Sequence, residues 1–94
     1  MSEIEHPELL DELRQKIRNG ESAVDAMHFL IDRLRLGPDS RLIVIMYFRA
    51  AFDLKLPDAS TLGAWQFFTG ANWPDEVVNA EIAPMLARYF EQGA

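Results

Sequence analysis

Residues 42–52 read LIVIMYFRAAF, and ten of these eleven residues are apolar, Arg49 being the exception. A segment that is apolar on every side belongs inside a core, so the rest of the chain has to supply the elements that cover it. The β-branched start, Leu42-Ile43-Val44-Ile45, favours a strand, and a short strand at 41–46 is the alternative reading. Length favours a helix, because the run exceeds the roughly 4–8 residues of a buried strand. Ala50 and Ala51 are strong helix formers. Gly37-Pro38-Asp39-Ser40 offers a stop and then an N-cap at Asp39 or Ser40. The sequence therefore predicts a buried helix.

The flanks are amphipathic or turn-like. Over residues 7–18, Pro7 suits a first turn. Acidic Glu8, Asp11 and Glu12 precede basic Arg14, Lys16 and Arg18, in the order the helix dipole favours. Leu9, Leu10, Leu13 and Ile17 form one stripe, and Asn19-Gly20 stops the helix. Residues 22–35 read as a second helix, opened by a capping box of Ser22 and Asp25 and closed by Gly37-Pro38. The short connection to the central segment predicts that these two helices pack as neighbours.

Leu54-Lys55-Leu56 reads as an extended link, since a residue before proline is pushed out of the helical region. A fourth helix is expected from Pro57 or Asp58 to about Phe68, with Leu62, Trp65 and Phe68 three apart and Gly63 allowing a close approach. Thr69-Gly70-Ala71-Asn72 reads as a loop. The last helix starts with Asn72 or Asp75 as cap and carries Val78, Ile82, Met85, Leu86 and Tyr89 on one stripe. Pro84 predicts a kink or break near Ala83. The expected fold is all-α: a compact orthogonal, bundle-like packing of about five short helices around a buried central helix at 41–53. It forms one domain over residues 1–94, frayed at 1–6 and 92–94.

Composition narrows function. The chain has 94 residues, no cysteine and a net charge of −6, so neither disulfides nor thiolate chemistry arise. The longest wholly apolar run, 42–48, is far shorter than the roughly 20 residues that span a bilayer. The first residues lack the charged and apolar regions of a signal peptide. A cytoplasmic protein is the expectation. Residues 1–12 carry five acids and no lysine or arginine, and residues 57–94 carry five acids against Arg88 alone. That surface repels nucleic acid and anionic membrane and would attract a basic protein, unless the acids simply keep the chain soluble. Residues 22–52 have a helix–turn–helix outline, but the second helix is the most apolar segment of the chain and cannot serve as a basic reading head.

Chemistry-bearing motifs are sparse. Asp25, His28 and Asp32 share one helix face and offer a weak metal or acid–base candidate, against a solvated face with ordinary charge pairing. Adjacent Asp11-Glu12 and Asp75-Glu76 point apart, and the second pair suits a helix start. Ser22 and Ser40 are cap residues, Ser60 lies in a first turn, and no nucleophile elbow, phosphate loop or paired-histidine metal motif occurs. The sequence predicts no catalytic, cofactor-binding or metal-binding residue and no cofactor.

The most suggestive cluster is aromatic. Trp65, Phe67, Phe68 and Trp73 are four of the ten aromatics and fall within nine residues. On a helix they would cover more than one face. Rimmed by Asp58, Asp75 and Glu76, they form a candidate docking patch for a basic, partly apolar partner, unless the rings simply fill a small core. The expectation is a small acidic, non-enzymatic protein-interaction domain: an inhibitor, immunity- or antitoxin-type protein, or an adaptor. A homo-oligomeric structural domain, such as a homodimer, is the alternative. A small enzyme or metal binder using His28 is the second.

Overall fold

The computed structural model describes residues 4–92. Five α-helices follow in order: α1 (Glu8–Arg18), α2 (Ala23–Leu34), α3 (Arg41–Phe52), α4 (Leu56–Ala59) and α5 (Asp75–Gln92), with a 3-10 turn, Ser60–Ala64, directly after α4. The central apolar segment is helical, and no strand occurs among the described residues. The radius of gyration is 12.2 Å, close to the roughly 12 Å of one packed domain of this length.

Local chemistry explains the first two helices. In α1 the acids Glu8 and Asp11 open the helix, Lys16 and Arg18 close it, and Leu9 and Leu13 are buried. Gly20, at φ 93°, turns the chain out of it, a conformation that costs glycine little. At α2 the capping box forms in both directions: Asp25 N–H donates to Ser22 Oγ at 3.1 Å and Ser22 N–H to Asp25 Oδ2 at 3.3 Å. The helix ends at Leu34, ahead of the Gly37-Pro38 stop, with Arg35 in the left-handed region at φ 55°.

The ends of α2 and α3 are also completed from a distance. Asn79 of α5 accepts from the Val24 N–H in the first turn of α2 at 2.9 Å. Arg14 of α1 donates through Nε to the Ala51 carbonyl at 2.7 Å and through Nη2 to that of Ala50 at 3.4 Å. These bonds satisfy groups that a helix leaves open at its ends.

The inner face of α3 buries Val44, Ile45, Tyr47, Phe48, Ala51 and Phe52. Each large apolar side chain contributes about 1.5–3 kcal/mol on burial, so this face anchors the core. The cover over α3 is incomplete: Leu42 is 72% and Ile43 41% exposed, and Arg49 and Ala50 also face solvent. Helix α1 packs mainly on α3 and α2. Helix α2 packs on α5 and α1 to similar extents, and its contact with α3, the neighbour expected from the short connection, is smaller than either. Ser40 precedes α3 but does not cap it; its hydroxyl donates to the Gly37 carbonyl. Asp39 accepts from Thr69 Oγ1 at 3.0 Å.

Three local expectations change. Leu56 is the first residue of α4, after an extended Lys55. Pro57 itself is tolerated in this first turn, where its missing N–H has no intrahelical acceptor, and the residue before it is helical despite the steric bias against it. The fourth helix ends at Ala59, and the 3-10 turn that continues it ends at Ala64 instead of Phe68, because Trp65 turns extended at ψ 135°. Helix α5 runs unbroken through Pro84. Pro84 and Ala80, whose carbonyl loses its partner, lie on the solvent side, so water can take the vacated bond. Residues 4 and 6, within the start expected to fray, make contacts with the rest of the chain. His6 N–H donates to the Tyr47 hydroxyl at 3.3 Å and Ile4 packs against the core. Residues 1–3 and 93–94 of the ends expected to fray lie outside the described residues.

Candidate functional site

The aromatic cluster is built by the turn that truncates the fourth helix. Trp65 pairs with Trp73 as an isolated bridge: Trp73 N–H donates to the Ala64 carbonyl and Gln66 N–H to the Trp73 carbonyl, both at 2.8 Å. This clamp holds residues 65–73 as one loop. Inside it Trp65 stacks on Phe67 at 5.1 Å and meets Phe68 edge-on at 5.7 Å. His28 of α2 approaches the other side of the indole at 4.9 Å, also edge-on. The indole Nε1 donates to Asp75 Oδ1 at 2.7 Å.

Trp65 is 2% and Phe68 1% exposed, and half-buried Phe67 and Trp73 pack against the same core. The rings mainly fill the space between α2, α3 and α5. Asp75 is half-buried against Trp65, and Glu76 is exposed beside it. Asp58 lines a different crevice, of about 110 Å³, with Lys55, Arg88 and Tyr89. The structure thus gathers Trp65, Phe67, Phe68, Trp73 and Asp75, with Glu76 adjacent, and places Asp58 elsewhere.

Arg41 crosses this region from the start of α3. Its guanidinium lies 5.9 Å from the Phe68 ring centre and donates through Nη2 to the Thr69 carbonyl at 2.8 Å. Gly63 provides the room: a Cβ there would meet Arg41 Cδ at 2.8 Å. The close approach expected at Gly63 therefore involves one side chain of a neighbouring helix.

His28 and Asp32 are exposed, and Asp25 is engaged in the capping box. No cluster of three or more metal-ligating side chains occurs among the described residues. No helix among them is long and apolar enough to cross a membrane.

Two surfaces escape the sequence. The first is a groove of about 660 Å³ where α1, α2 and α5 meet. Ile17, Ala23, Ala83, Leu86, Ala87 and Phe90 form its apolar walls, with Arg18, Glu21, Ser22 and Asn79 at the rim. Three alanines keep it open, and alanine sends no signal of its own in a sequence. Glu76 lies one turn before Asn79 and Glu91 one turn after Ala87 on α5; both are exposed. At the rim Glu21 pairs with Lys16 at 3.6 Å, and the guanidinium of Arg18 rests 5.3 Å from the Phe90 ring centre, so Glu76 and Glu91, a turn beyond the lining, are the acids there without an ion-pair partner among the described residues. The second surface is the uncovered outer face of α3, with a hollow of about 290 Å³ beside it lined by Leu34, Leu36, Ile43 and Met46.

No family model, curated protein or solved structure matches the chain.

Proposed function

We propose that this chain is a small acidic protein-interaction domain that works by binding, as an inhibitor, an immunity- or antitoxin-type protein or an adaptor, in a cytoplasmic setting and without catalysis of its own. The observation that supports it is the groove between α1, α2 and α5, with an apolar floor and exposed Glu76 and Glu91 a turn beyond its lining on α5. Its occupant is a partner protein with basic surface that inserts an apolar side chain between Ala83, Ala87 and Phe90. Lysines or arginines around that anchor meet Glu76 and Glu91, an arrangement that raises association rate and selects partners. Burying an apolar anchor at the centre supplies most of the binding energy at such surfaces.

Immobilised wild-type protein and an Ala87→Arg variant test this in parallel, at low and high salt. Ala87 is exposed, so the variant keeps the fold while filling the groove and reversing its charge balance. A basic protein retained by the wild type, weakened by salt and lost with Ala87→Arg supports the reading. Equal retention by the two proteins rules the groove out as the site.

A further inference from the structure

We infer that the groove between α1, α2 and α5 takes the C-terminal residue of its partner, with an apolar side chain in the seat at Ala83, Ala87 and Phe90 and the free α-carboxylate on the guanidinium of Arg18. The inference rests on the reading of the groove as a protein-binding site and names the part of the partner that enters it. Arg18 and Glu21 are the two charged residues that line the groove. Glu21 is engaged, with Lys16 Nζ 3.6 Å from its carboxylate. The guanidinium of Arg18 makes no ion pair or hydrogen bond among the described residues and rests only on the ring of Phe90, at 5.3 Å. All its donors are therefore open to an anion that the occupant brings. Glu76 and Glu91, a turn beyond the lining, face the opposite need. The occupant thus carries an anion inside the groove and cations outside it.

Distance decides which anion. Phe90 walls the apolar seat and also carries Arg18 on its ring. The occupant's apolar group and its anion therefore lie close together. A C-terminal residue carries both on one carbon atom. An acidic side chain next to an apolar residue starts from a Cα about 3.8 Å away, and in an extended chain it projects from the opposite side. Arginine suits the task, because its planar fork matches a carboxylate in two parallel hydrogen bonds. The groove, at about 660 Å³, falls in the range of roughly 300–1,000 Å³ that encloses small ligands.

Titration of isotope-labelled protein with the acetylated tetrapeptide KKSL, followed by nuclear magnetic resonance, tests this against the C-terminal amide of the same peptide. Both forms are expected to shift the amides of Ala83, Ala87 and Phe90. The amide form should bind about two- to fivefold more weakly, the worth of an exposed guanidinium–carboxylate pair, and high salt should narrow the gap. The protein's net charge of −6 favours the amide form, so a preference for the free acid isolates the contribution of Arg18. Arg18→Gln, at an exposed position and with folding checked by circular dichroism, should bind the two forms equally. The amide of KKDL, whose carboxylate sits on the side chain before leucine, should bind no better than the amide of KKSL. A preference for the free acid that survives Arg18→Gln, or a KKDL amide that matches the KKSL acid, would overturn the inference. Equal binding of both KKSL forms to the wild type, lost with Ala87→Arg, would also overturn it and leave the groove as a protein-binding site. No shift from either peptide would overturn it too, and the capture comparison of wild type with Ala87→Arg then decides separately whether the groove binds a protein.

Discussion

The indole Nε1 of Trp65 donates to Asp75 Oδ1 at 2.7 Å, which ties the end of the 3-10 turn to the first turn of α5. Asp75 thereby serves two demands at once. Its carboxylate accepts the only hydrogen bond the buried indole can donate, and it places negative charge at the positive end of a helix. The pair is part of what keeps Trp65 inside the core and away from a partner.

Trp65→Phe keeps most of the ring packing and removes the donor. A hydrogen bond to a charged group is worth about 1.5–3 kcal/mol, and that loss is expected in urea unfolding. Asp75→Ala should cost a similar amount, and the double variant less than the sum of the two, because both remove one interaction. Additive losses would show that the bond contributes nothing to stability.

The two faces of α3 should respond oppositely. Phe48, fully buried, is expected to cost about 3–5 kcal/mol when replaced by alanine. Leu42→Glu is expected to change stability by no more than about 0.5 kcal/mol, as an exposed site near a helix start that tolerates negative charge. Thermal unfolding of dilute samples compares them; a large loss for Leu42→Glu would mean that this face is covered within the monomer.

Gly63→Ala should destabilise, because the new Cβ displaces Arg41 from its bond to the Thr69 carbonyl. The expected loss is about 1 kcal/mol, the worth of an ordinary hydrogen bond. In an Arg41→Ala background the same change should be harmless. If Gly63→Ala costs as much there, Arg41 is not the obstacle.

Arg35→Gly should stabilise. Arg35 ends α2 at φ 55°, a conformation that costs an ordinary residue roughly 1 kcal/mol and glycine almost nothing. A gain of about 1 kcal/mol would raise the melting temperature of a domain this size by roughly 4–8 °C. An unchanged or lower melting temperature would count against the left-handed cap.

Helices α1 and α2 were legible because their signals are local: the acid-to-base order from Glu8 to Arg18, and the reciprocal pairing of Ser22 with Asp25. The end of the fourth helix was not, because spacings of three at Leu62, Trp65 and Phe68 suit a continuing helix as well as a 3-10 turn followed by an extended residue. What decides between them is the backbone pairing of Trp65 with Trp73, which no window of neighbouring residues contains. The aromatic cluster illustrates the same limit. Its residues stand out in the sequence, but which way each ring points depends on that turn, and Trp65 and Phe68 point inward. The groove at Ala83 and Ala87 was invisible because it is defined by side chains that are small.

The remote completion of helix ends has a consequence for how the chain can be divided. The first turn of α2 relies on Asn79, 55 positions away, and the last turn of α3 on Arg14, 37 positions away. A fragment lacking the C-terminal third would leave Val24 without its acceptor, and one lacking the first helix would leave Ala51 without its donor. Neither piece carries all it needs to stand alone. Protection of the Val24 amide against hydrogen exchange therefore reports on the integrity of the whole chain, although that amide sits in its first third.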